Sequence, residues 1–262
     1  MTIIATYLLL GMVAGLLAGL LGVGGGLIIV PVLVGIFLKL AFAPSVIMHM
    51  AIATSLATIV ITSIASGYSH HRHGAVIWAG VRGLTPGILL GAVVGALIAD
   101  YLPTESLKNI FATFEIIVAA QMAFSLRPAA SRELPGGPGM SLAGMVIGSV
   151  SAIIGIGGGT LTVPFLTWCH AGIRKAVATS AVCGFPIALS AAITFVILGW
   201  GEPGLPDKSI GYVYWPAFVA ISTSSLVFAP IGARLAHLLP VNVLRKVFAL
   251  LLLVIGMRML FA

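Results

Sequence analysis

The chain has 262 residues, of which 60% are hydrophobic and only 7% charged, with a mean hydropathy of +1.20 and a formal net charge of +7. So few charges exclude a soluble domain, whose surface draws on about 25% charged residues. The basic residues lie scattered in short connections, as in loops retained on one side of a membrane, which argues against nucleic acid as a partner and for the lipid bilayer.

Weakly charged apolar runs follow one another at 2–38, 46–68, 75–99, 107–126, 140–168, 176–200, 212–233 and 247–262. About 20 apolar residues span a bilayer as helix. An open backbone cannot face lipid, and the runs lack the short alternation of barrel strands. The fold class expected is an all-α membrane protein of eight to ten helical segments. No Lys or Arg precedes Lys39, so the first run lacks the basic start of a cleavable signal peptide and is expected in the mature chain. Cys169 and Cys183 stand in apolar surroundings without metal or redox spacing and read as small buried hydrophobes.

In chain order, the first run carries Gly22-Val23-Gly24-Gly25-Gly26 followed by Pro31, and the fifth carries Gly155-Ile156-Gly157-Gly158-Gly159 followed by Pro164 at the same spacing. Ala53-Thr54-Ser55-Leu56 in the second run matches Ala178-Thr179-Ser180-Ala181 in the sixth. The stretch 95–103 matches 232–240, and Leu107-Lys108-Asn109-Ile110-Phe111 matches Leu244-Arg245-Lys246-Val247-Phe248. Four landmarks in one order predict a duplication: a first membrane repeat at 1–126, a polar linker at 127–139 and a second repeat at 140–262. If each glycine cluster reverses the chain, nine of the 13 Lys and Arg fall on one side and four on the other; if each only kinks a helix, the division is seven to six. The positive-inside rule prefers the first arrangement, in which the repeats are inverted.

The paired Gly-x-Gly-Gly-Gly segments, each with a proline five residues later, resemble the TauE/SafE sulfite exporter family. So do Ala53-Thr54-Ser55-Leu56, Ser66-Gly67-Tyr68 and the basic loop His70-His71-Arg72-His73-Gly74. The resemblance covers nearly the whole chain. It implies a multi-pass transporter of the bacterial inner (cytoplasmic) membrane that exports sulfite, sulfoacetate or another organosulfonate. The second half has Gly201-Glu202-Pro203-Gly204 where the first has its histidines, so no shared role is expected for those histidines.

An anion crossing hydrocarbon needs donors that are cheap to bury, and free N–H groups at a helix N-terminus supply them with a favourable dipole. Gly24, Gly25, Gly26, Gly157, Gly158 and Gly159 are therefore the expected substrate-binding backbone, with close helix packing as the competing reading. Thr54, Ser55, Thr179 and Ser180 are candidates to add hydroxyl donors, or else bond back to their own helices. Thr58, Ser63 and Thr194, unmatched across the halves, are read as packing. Glu115, in the middle of its run, is a candidate for proton coupling or for an ion pair with Arg82 or Arg258. Arg82 itself is expected to snorkel. His49, His70, His71 and His73 are expected as solvated residues at helix ends rather than ligands.

The function expected is secondary transport of a small sulfur-containing anion by alternating access, with no cofactor and no metal. Sulfate, thiosulfate or a carboxylate would suit the same donors, as would uptake in place of export. A membrane-embedded hydrolase would need a Gly-x-Ser-x-Gly elbow, which is absent, or a His and a Ser on facing helices, whereas the histidines lie at the edges of the apolar runs. Homo-oligomerisation is left open.

Overall fold

A computed structural model describes residues 2–22, 24–124, 135–235 and 241–261. These form α1 (Thr2–Leu21), α2 (Gly26–Lys39), α3 (Ile47–Arg72), α4 (Trp78–Tyr101), α5 (Thr104–Ala123), α6 (Gly137–Ile154), α7 (Gly159–Trp168), α8 (Ile173–Leu198), α9 (Trp215–Leu235) and α10 (Val241–Phe261). Before α9 lies a small antiparallel hairpin of β1 (Ser209–Ile210) and β2 (Val213–Tyr214). Helices α1, α3, α4, α6, α8 and α9 are long and apolar enough to cross a membrane. Helices α2 and α7, of 14 and 10 residues, reach only about 21 and 15 Å against a hydrocarbon core of about 30 Å. Helix α6 begins at Gly137, inside the expected linker; residues 125–134 of that region lie outside the described residues.

Eight apolar runs become ten helices because both runs with glycine clusters are broken there. Gly22, Gly24 and Gly25 take φ of 68°, 80° and 78°, and Gly155 and Gly158 take 79° and 29°, a region cheap only for glycine. At the first break the chain reverses. A methyl placed on Gly25 would lie 3.0 Å from the Ala14 Cβ, whereas eleven residues of continuous helix would hold the two about 16 Å apart.

Small residues then set the packing, as they do between helices in lipid. Gly11, Gly15 and Gly19 of α1 meet the backbone at Ile221, Ser225 and Ala229 of α9, so these helices run parallel. Gly87, Gly91 and Gly95 of α4 meet Ser141, Met145 and Ser149 of α6 in the same way. Helices α3 and α8 pack antiparallel, Gly67 against Val182 and Gly184 against Ser63. Helix α5 packs on α10, α2 on α3 and α7 on α8, and each pairing maps onto itself or another when α1–α5 exchange places with α6–α10.

One end of the bundle gathers the start of α3, the ends of α2 and α4, and the β-hairpin, through the Phe37, Phe42 and Tyr214 rings and a His49 Nε2 contact of 3.1 Å to the Ala99 carbonyl. The other end gathers the ends of α1 and α3 and the starts of α4 and α8. There His70 Nε2 lies 3.2 Å from the Gly19 carbonyl, and the Ile77 N–H donates to Thr179.

Candidate functional site

The two glycine breaks meet. A methyl on Gly24 would lie 2.9 Å from the Gly157 Cα, and one on Gly26 would lie 2.9 Å from the Ile156 Cα. The starts of α2 and α7 thus converge, each with N–H groups that its own helix leaves without acceptors. Against this junction lies a cavity of about 10 Å³, lined by Gly22, Gly24 and Gly157, by Ala18 of α1, by Ile59, Thr62, Ser63 and Ser66 of α3, and by Ser180, Ala181 and Gly184 of α8. That is room for about one water, so the surrounding helices must part before a larger anion enters.

The lining carries four hydroxyls, of Thr62, Ser63, Ser66 and Ser180, and no charge. The Thr62 hydroxyl lies 2.8 Å from the Ser225 Oγ and 3.0 Å from the Thr58 carbonyl, to which it donates, and Ser63 donates to the Val60 carbonyl at 3.1 Å. Ser180 donates to the Val177 carbonyl at 2.8 Å and approaches the Gly22 carbonyl at 3.2 Å. Ser66 is 2% exposed, and its hydroxyl has no protein partner. A buried hydroxyl left so costs about 1–3 kcal/mol, a cost that a bound anion would offset.

The matched hydroxyls have other duties. The Tyr214 N–H donates to the Thr54 Oγ1 at 2.9 Å, and the Ile77 N–H donates to the Thr179 Oγ1 at 2.9 Å, so equivalent threonines each clasp the residue before a helix of the other half. Ser55 donates to the Gly155 carbonyl at 2.8 Å, the counterpart of Ser180 on Gly22. Of the ten expected substrate-binding residues, the structure brings Gly24, Gly157 and Ser180 to the cavity wall. Gly25, Gly26, Gly158 and Gly159 stand behind them, and Thr54, Ser55 and Thr179 serve as fasteners.

Ser63, read as packing, lines the cavity, and Thr62 and Ser66 were missed. Ser55, Thr58, Thr62, Ser66 and Ser69 recur every three or four residues along a buried face of α3, a hydroxyl stripe with helical period that the sequence contains.

Glu115 is fully buried between α5 and α10, and neither carboxylate oxygen has a hydrogen-bond partner. The expected ion pair is not formed: Arg82 and Arg258 are both exposed, as long cationic side chains are when they reach for an interface. His71 and His73 are exposed as expected, but His49 and His70 are not solvated. They are 5% and 2% exposed because α3 packs its ends against α4 and α1, and the His49 ring stacks on Tyr212, whose hydroxyl donates to Asp100 at 3.0 Å.

Apolar spans around a small hydroxyl-bearing cavity at the meeting of two helix breaks define a polytopic membrane transporter. The family model described as "Sulfite exporter TauE/SafE" matches residues 7–259, and the chain belongs to the TauE/SafE sulfite exporter family. It is 40% identical over 259 residues to a probable membrane transporter protein of Haemophilus influenzae, covering 98% of both chains. A probable membrane transporter protein of Methanocaldococcus jannaschii is 28% identical over 86% of this chain and 80% of its own. The probable membrane transporter protein YunE of Bacillus subtilis is 22% identical over 96% and 95%. No solved structure matches.

Proposed function

We propose that the chain exports a small sulfur-containing anion, such as sulfite, sulfoacetate or another organosulfonate, across the bacterial inner membrane, binding it in the cavity where the glycine breaks meet. The observation that carries this reading is the Ser66 hydroxyl, buried without a partner beside Gly24, Gly157 and Ser180. Neutral hydroxyls and helix-start N–H groups suit an oxyanion that must also leave, since no fixed charge holds it. Ser66→Ala is expected to leave thermal stability unchanged or slightly raised and to weaken anion binding about tenfold, the loss of one hydrogen bond to a charged group. The check is thermal shift of purified protein with sulfite, sulfoacetate, taurine, sulfate and acetate. An unchanged response in Ser66→Ala would move the site elsewhere, and a preference for acetate would replace the sulfur oxyanion as cargo.

The antiparallel packing of the matched helices α3 and α8, and the parallel pairs α1 with α9 and α4 with α6, support inverted repeats that rock to alternate access. Arg72, Arg82, Arg174, Lys175 and Arg234 stand at one end of their helices' common axis and Lys39 and Lys208 at the other, which supports the first end as cytoplasmic. The membrane potential, negative inside, then drives an anion outward. Glu115 is assigned the coupling proton, since a lone carboxyl at this depth is functional by default. Glu115→Gln is expected to fold normally and to abolish the response of vesicle transport to an imposed pH gradient while sparing the response to potential; an unaltered pH-gradient response removes that role.

A further inference from the structure

On the outer side of the α3–α8 contact, between α3, α4 and α8, runs an apolar groove of about 530 Å³ that no part of the transport reading uses. Its walls include Tyr68, Val81, Leu89, Phe185 and Leu189, and its volume lies within the range of about 300–1000 Å³ for ligand sites. Along α4 the lining extends from Trp78 to Leu89, about 16 Å of helix, or half of a hydrocarbon core of about 30 Å. The groove is therefore one leaflet deep. At its mouth His71 meets Trp78 edge-on at 5.4 Å, and Tyr68 and Trp78 are 64% and 43% exposed, at the level where aromatic residues sit at a membrane surface.

Four cations stand at the same end of the bundle. Arg72 ends α3, Arg82 lies in the first turns of α4, and Arg174 and Lys175 begin α8; all four are exposed. The hydrogen bond from Ile77 to Thr179 holds the starts of α4 and α8 together at this end. An apolar slot one leaflet deep below an aromatic rim and four cations matches one class of molecule.

We propose that the groove binds an anionic phospholipid of the leaflet at that end, with an acyl chain between α3, α4 and α8 and its phosphate held by Arg72, Arg82, Arg174 and Lys175. The deep end of the groove reaches Ser63, which also lines the polar cavity. The lipid thus wedges the α3–α8 contact from outside and steadies the helices that must part for the anion.

The test is thermal unfolding of delipidated full-length protein in detergent, titrated with dioleoylphosphatidylglycerol, dioleoylphosphatidylcholine or glycerol phosphate. Phosphatidylglycerol is expected to stabilise at concentrations lower than phosphatidylcholine by about fivefold for each cation engaged, and glycerol phosphate not at all. Thr85→Trp, which fills the groove from α4 where Thr85 bonds only its own helix, should respond to neither lipid; Leu89→Trp, a partly exposed position, does the same if Thr85→Trp folds poorly. The double variant Arg174→Gln, Lys175→Gln should keep the response to phosphatidylcholine and lose most of the preference. Equal potency of the two lipids, undiminished binding in a folded groove-filled variant, or a full shift with glycerol phosphate would each overturn the proposal.

Discussion

Gly91→Ala is expected to melt well below the wild type in detergent, while Gly35→Ala melts at or above it. Both glycines lie inside helices, so propensity alone favours alanine in each by up to about 1 kcal/mol. The difference lies in what the new methyl meets. At Gly91 it falls against the Met145 carbonyl and 2.8 Å from the Met145 Cα, both backbone atoms of α6; at Gly35 it meets nothing within 4 Å. Backbone in a packed helix pair cannot swing aside as a side chain can, so α4 and α6 must separate along the whole contact made by Gly87, Gly91 and Gly95. Overpacking of this kind costs about 1–3 kcal/mol or more, and Gly91→Leu should prevent a folded protein from being recovered. Helical circular dichroism against temperature reads the effect, and coincident melting of Gly91→Ala, Gly35→Ala and wild type would refute the close approach.

Gly24→Ala should abolish transport, and Gly74→Ala should not. Both positions have positive φ, 80° and 63°, so each alanine carries strain of about 1–2 kcal/mol. Gly74, in the connection after α3, has open space around it. Gly24 has Gly157 of the opposite break at 2.9 Å from the new methyl, which pushes apart the two helix starts at the cavity. Comparing the pair separates backbone strain, common to both, from damage to the junction, confined to one. Radiolabelled sulfite flux in membrane vesicles, scored per folded protein, is the measurement. Equal flux through both variants would mean that the junction of the breaks takes no part in transport.

Much of the architecture could be read from residues. Glycine runs within long apolar stretches predict broken helices, and both runs that carry them are broken there. The stripes at Gly11, Gly15 and Gly19 and at Gly87, Gly91 and Gly95 are equally visible in the sequence, but a stripe of small residues names no partner, and here each partner lies in the other half. The cavity was harder to find for a physical reason. Matching the halves singles out Thr54, Ser55, Thr179 and Ser180, and the fold uses matched hydroxyls chiefly to bind the halves together. Three of the four hydroxyls in the wall come from α3. At the sequence offset that matches Thr54 with Thr179, Thr62, Ser63 and Ser66 of α3 correspond to Ile187, Ala188 and Ala191 of α8, so matching the halves passes over the residues that give the cavity its hydroxyls. The histidines misled for another reason. Position at the edge of an apolar run suggests water, but α3 continues to Arg72 and turns His70 onto α1.

The two threonine clasps, Thr54 on Tyr214 and Thr179 on Ile77, stand at opposite ends of the bundle and are chemically the same bond at the same 2.9 Å. In the rocking cycle proposed above they would behave as the two gates of a canal lock, each released only while the other stays shut. A neutral hydrogen bond contributes about 0.5–1.5 kcal/mol net, too little to hold either gate for long. Because the two contributions are alike they cancel between the inward-facing and outward-facing forms. On that proposal the scaffold would store no preference for direction, and the gradient across the membrane would decide which way the cargo leaves.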